Sequence, residues 1–121
     1  MKIVITLLLM TGLFACSKSI DIKLEPEVYL VLSQDAKQRI YINEKDEAYV
    51  TLSQWLDDNK DGWYATSGHY SGGVYVKSGE YGVLITDLKV IIYSTLGKAP
   101  KAIYAKNINR GELGTLLNFS K

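Results

Sequence analysis

Apolar and polar positions change their period several times along the chain, and each change marks an element. Val28-Tyr-Leu-Val-Leu-Ser33 is a β-branched, apolar run, and Arg39-Ile-Tyr-Ile-Asn43 follows after Gln34 to Lys37. Short β-branched and aromatic runs around a polar break predict a hairpin. From Val50 the period lengthens. Leu52, Trp55 and Leu56 share one helical face, Thr51 and Gln54 have capping-box spacing, and Val50 and Trp55 fit the staple positions. Asn59-Lys60-Asp61-Gly62 ends that helix.

Residues 63 to 94 read as entirely β. Gly73 to Lys77 and Tyr81 to Thr86 flank Ser78-Gly79-Glu80, a glycine-containing hairpin loop, and Leu88 to Ser94 forms a Val- and Ile-rich central strand. Pro100 breaks the chain before a strand at Lys101 to Lys106. Asn109 and Glu112 repeat the capping spacing, with Ile108 and Leu113 as the staple pair and Leu113, Leu116 and Leu117 as the apolar face. Gly111 and Gly114 weaken this second helix, each by about 1 kcal/mol relative to Ala. The predicted fold class is α+β, a mostly antiparallel sheet with two short helices packed on one face.

The N-terminus has a different pattern. Lys2 precedes an uncharged apolar run from Ile3 to Phe14, too short for a hydrocarbon core that needs roughly 20 residues, and polar Ser17-Lys18-Ser19 follows. Leu13-Phe14-Ala15-Cys16 resembles the lipobox of bacterial lipoproteins, although Phe14 stands where that pattern more often has a small or β-branched residue. The resemblance implies cleavage before Cys16 by signal peptidase II and acylation of its thiol and new amine. Ser17, in place of the Asp that favours inner-membrane retention, implies an outer-membrane lipoprotein facing the periplasm. Cys16 is the one cysteine of the chain, so no internal disulfide can form, and lipidation accounts for a lone exported thiol.

This reading divides the chain into a signal peptide (1–15), a tether (16–26) and a single periplasmic domain (27–121). A flexible tether would hold the domain some tens of Å from the bilayer; the alternation of Ile20, Ile22 and Leu24 leaves an edge strand as the alternative. Removing the first 15 of 121 residues leaves 106, and the loss of Lys2 brings 14 basic residues to 13, against 13 acidic. That balance argues against nucleic acid as partner.

Candidate chemistry is sparse. His69 lacks the second histidine or cysteine pair of a metal site, and Ser67 and Ser71 beside it lack a third member with a defined role. Asp57, Asn59 and Asp61 fit the first three ligand positions of a calcium loop, but Gly68 occupies the place of the closing Glu. No cofactor, metal or catalytic set is expected. The distinctive stretch is Trp63 to Tyr81, with Trp63, Tyr64, Tyr70, Tyr75 and Tyr81 among Gly62, Gly68, Gly72, Gly73 and Gly79. Exposed Trp and Tyr suit recognition of a protein or glycan; alternatively the rings fill the core face and the glycines serve turns. The expectation is a small non-catalytic binding module anchored through Cys16, of the inhibitor or immunity type. A structural envelope lipoprotein and a small cell-wall enzyme using His69 are the alternatives.

Overall fold

The computed structural model describes residues 19–32 and 35–118. Seven strands form one sheet: β1 (Glu27–Leu32), β2 (Asp35–Asn43), β3 (Tyr64–Ala65), β4 (Val74–Ser78), β5 (Tyr81–Ile85), β6 (Lys89–Ser94) and β7 (Lys101–Asn107). Two helices, α1 (Glu47–Asp58) and α2 (Gly114–Leu117), complete the elements. Strand order is β2-β1-β4-β5-β6-β7-β3, and every pairing is antiparallel. Both predicted hairpins are present. In the second, Ser78 pairs with Tyr81, so the loop is the two residues Gly79 and Glu80.

Side chains alternate across a strand, so a sheet has two separately composed faces. Val28 and Leu30 of β1, Ile42 of β2, Val74 and Val76 of β4, Val83 and Ile85 of β5, and Val90 and Ile92 of β6 are buried in one cluster. The same cluster holds Ala48, Tyr49, Leu52, Trp55 and Leu56 of α1, and Ile108, Leu113, Leu116 and Leu117 at the C-terminal end. This is the main core.

The N-cap of α1 is Asp46, five residues before the predicted cap Thr51. A polar turn sets it: the Asp46 carboxylate accepts the Asn43 N–H at 2.8 Å, and Asn43 Oδ1 accepts the Lys45 N–H at 2.9 Å. Thr51 is inside the helix, Gln54 bonds Asp58 at 3.2 Å rather than reaching back, and Val50 is exposed. At the second helix, Glu112 does reach back, accepting the Asn109 N–H at 3.1 Å. Gly111 then takes φ +83°, which interrupts regular helix, so α2 starts only at Gly114.

Glu112 also ties this turn to α1, because its Oε2 accepts the Trp55 indole N–H at 2.6 Å. That bond, then the one from Asn109, holds the carboxyl below its ordinary pKa of 4.5. A lowered folded pKa stabilises fully above the unfolded value and loses that contribution as pH falls through it. Glu112→Gln is therefore expected to flatten the loss of stability below about pH 4.3. Denaturation midpoints measured from pH 6 to pH 3 check this; parallel curves for wild type and variant would contradict it.

The segment before β1 is docked on the body. Ile20, Ile22 and Leu24 pack against the core while Asp21, Lys23 and Glu25 face outwards. The Ile20 N–H donates to the Lys60 carbonyl at 2.6 Å, and the Glu25 N–H to Ser78 Oγ at 2.8 Å. Tyr49 Oη donates to the Leu24 and Glu25 carbonyls at 3.2 and 2.8 Å. From Ile20 to Glu25 this segment is a docked strap, and it is no strand of the sheet; residues 16–18 of the expected tether lie outside the described residues. The alternation seen in the sequence is the alternation of its contacts.

Candidate functional site

The second face of the sheet carries most of the tyrosines, arranged by register in two rows. Tyr41, Tyr29, Lys77, Gly82, Tyr93 and Ala102 are successive partners across β2, β1, β4, β5, β6 and β7. One step along the strands, Arg39, Val31, Tyr75, Leu84, Ile91, Ala105 and Tyr64 form the next row, extending to β3. With strands about 4.8 Å apart, the rows run for roughly 24 and 29 Å. Leu84, Ile91, Ala102 and Ala105 are buried as a second apolar cluster, with Tyr64, Tyr70, Tyr75 and Tyr93 partly buried around it.

The rings hold each other in place. Tyr29 and Tyr41 lie 5.7 Å apart between centroids, and Tyr75 meets Tyr93 edge-to-face at 5.8 Å. The Arg39 guanidinium stacks over Tyr29 at 4.7 Å. Gly82 makes the Tyr75 position available: a Cβ there would lie 1.9 Å from the Tyr75 hydroxyl oxygen. At the β3 margin, Lys89 Nζ donates to Tyr64 Oη at 2.9 Å and to Asn107 Oδ1 at 2.7 Å.

Tyr75 Oη is buried with no hydrogen-bond partner among the described residues. Burial, with Tyr29 and Tyr93 nearby, pushes its pKa up to about 12. Burial followed by Tyr70 raises Tyr93 in the same direction. A buried unsatisfied hydroxyl costs about 1–3 kcal/mol. Tyr75→Phe keeps the ring contact and removes that cost, so it is expected to raise stability by about 1 kcal/mol. A lowered urea midpoint would show that the hydroxyl has a partner in solution.

Of the five aromatic residues singled out in the sequence, Tyr64, Tyr70 and Tyr75 come together on this face. Trp63 does not: it is 1% exposed in the main core, edge-to-face with Trp55 at 5.9 Å, its indole N–H on the Asn59 carbonyl at 2.7 Å. The expectation that Trp63 contacts a partner is corrected by this burial. Tyr81 is 40% exposed but has the parity of Val83 and Ile85, so it stands at the margin of the opposite face. Tyr29, Tyr41, Tyr93, Arg39, Lys77 and Lys89 were missed. Only β2 (Arg39, Tyr41) and β4 (Tyr75, Lys77) carry a local signal, a tyrosine and a cation two places apart in an aliphatic strand; Tyr29, Tyr93 and Lys89 are brought in by register.

Other candidates fall elsewhere. His69 is exposed in the segment between β3 and β4. Asp57 is engaged by Lys60 and Lys23 at 3.3 and 3.4 Å, and hydrogen bonding to Lys60 first, then its charge, lowers the Asp57 pKa. Among the described residues no group of three or more His, Cys, Asp or Glu is placed to hold a metal. Cys16 and Ser17 lie outside the described residues. Compared with protein-family models, curated proteins and solved structures, the chain matches none of them.

Proposed function

We propose that this chain is an envelope lipoprotein, anchored in the outer membrane through lipidated Cys16, that works as a small non-catalytic binding module. The two helices cover one face of the sheet, and the tyrosine face opposite them is the surface that engages a partner in the periplasm. The observation that carries this reading is the assembly of that face: two register rows line up tyrosine, aliphatic and cationic residues across the sheet, with Leu84, Ile91, Ala102 and Ala105 buried beneath the rings and the segment at Tyr70 packed beside them. Tyrosines, with Arg39 at the β2 end, are among the residue types enriched at energetically dominant interface positions.

The strap adds a geometric consequence. With Ile20 held at the body, an anchor at Cys16 has four residues of reach, at most roughly 14 Å. The domain then rides next to the bilayer instead of some tens of Å away.

Two measurements test the reading. Cys16→Ser should abolish incorporation of a palmitate analogue and move the chain from the membrane to the soluble fraction. Tyr41→Ala with Tyr64→Ala, a partly exposed pair at either end of the face, should weaken capture of an envelope partner about tenfold or more without unfolding. Capture at wild-type strength by that folded double variant would sink the binding-face assignment.

A further inference from the structure

The tyrosine face is not flat throughout. Between the segment at Tyr70 to Gly73 and the sheet lies a cleft of about 280 Å³, floored by Val31, Leu32, Tyr75 and Leu84 and walled by Tyr70. Its lining is chiefly apolar, and its size falls just below the range of small-molecule sites, roughly 300–1,000 Å³. It is the right scale for one side chain. Tyr70 is fixed there by the contact of its hydroxyl with Thr66 Oγ1 at 2.6 Å.

Three cations stand on this face by register, Arg39 and Lys77 nearer the cleft and Lys89 towards the β3 margin. Arg39 pairs with Val31, Lys77 lies two residues from Tyr75, and Lys89 lies two residues from Ile91, the partner of Leu84. None has an ion pair among the described residues. Arg39 stacks on Tyr29, Lys77 donates to the Gly79 carbonyl, and Lys89 bonds Tyr64 and Asn107. The ion pairs of the described chain lie on the strap side, among Lys23, Lys60, Asp21 and Asp57. Glu27, paired with Asn43, is a carboxylate in register at the far margin of the tyrosine face, beyond Tyr29.

Building on the reading of this face as a binding surface, we propose that its partner is a protein segment carrying an aromatic residue flanked by acidic ones. The aromatic side chain enters the cleft against Tyr70 and Tyr75, and the neighbouring carboxylates pair with Arg39 and Lys77. Aromatic pairs add about 0.5–1.5 kcal/mol beyond their buried area, and Arg offers a carboxylate two parallel donors. A glycan fits less well. Sugar hydroxyls need acceptors placed beside the platform, and the two rows contain no carboxylate or amide side chain; Glu27, Asn43 and Asn107 stand only at the margins.

The test titrates the full chain in detergent micelles with the capped peptides EEFEE, EEAEE and KKFKK, and with an oligogalacturonate, by calorimetry at low and moderate salt. EEFEE is expected to bind about tenfold or more tighter than either other peptide, and to weaken as salt rises. Tyr70→Ala should remove the preference for EEFEE over EEAEE. Arg39→Gln with Lys77→Gln should remove the preference for EEFEE over KKFKK. Equal binding of the Phe and Ala peptides, equal binding of the acidic and basic peptides, or no peptide binding overturns the proposal, and tighter binding of the oligogalacturonate replaces it with an acidic glycan. If the peptides fail while Tyr41→Ala with Tyr64→Ala still abolishes envelope capture, the face stands and only its partner's chemistry is wrong. If capture is also unchanged, both readings fall.

Discussion

Trp63→Ala is expected to cost about 3–5 kcal/mol of stability, the range for emptying a fully buried large aromatic site. For a domain of this size that lowers the melting temperature by roughly 15–25 °C. The loss has three sources. The indole is 1% exposed, so nearly all its apolar area returns to water on unfolding. Its edge-to-face contact with Trp55 at 5.9 Å disappears. The Asn59 carbonyl, which accepts the indole N–H at 2.7 Å, loses that partner while Asn59 Nδ2 still holds the Trp55 carbonyl at 2.9 Å. The end of α1 is thus anchored through the very residue removed. Thermal unfolding followed by far-UV circular dichroism checks this. Tyr64→Ala, one position along and on the other face, provides the contrast: about 1 kcal/mol or less in stability, with its effect on binding. A Trp63→Ala protein that melts like wild type would return Trp63 to the surface.

The contrast between Trp63 and Tyr64 shows where sequence reading reaches its end. Parity along an extended segment is local, so the inward set Ile20, Ile22 and Leu24 was visible as a period of two. Which way an isolated short strand faces is not local. Tyr64 is assigned to the tyrosine face by pairing with Ala105, some forty residues later. Residues 63 to 81 drew attention through the density of their rings, yet the face is assembled mainly from separate strands. Tyr29, Tyr41 and Tyr93 each stand alone among aliphatic residues, and only register brings them into line. The start of α1 was misread for a different reason. Thr51 and Gln54 match a capping spacing, but Asn43 and Asp46 form the hydrogen-bonded turn first, and a helix already running leaves Thr51 nothing to cap.

Gly73→Ala is the second large effect, and its neighbour supplies an internal control. Gly72 and Gly73 both have positive φ, +81° and +72°, so alanine at either pays about 1–2 kcal/mol of backbone strain. Their surroundings differ. A Cβ on Gly72 meets nothing within 4 Å, whereas one on Gly73 would lie 2.0 Å from the Ile85 carbonyl oxygen and 2.9 Å from its carbon. Backbone in an interior strand cannot swing aside as a side-chain tip can. Relief requires parting Val74 from Ile85, where the β4–β5 pairing begins. Gly73→Ala is therefore expected to cost roughly 3–4 kcal/mol, and Gly72→Ala about 1–2. The difference measures the close approach alone. Gly73 also lines the cleft beside Tyr70 and Tyr75. A Gly73→Ala chain that is still folded at low temperature should bind the aromatic peptide more weakly than wild type. Equal urea midpoints for the two variants would mean that the chain before β4 has room to yield, and that the cleft wall is looser than its geometry implies.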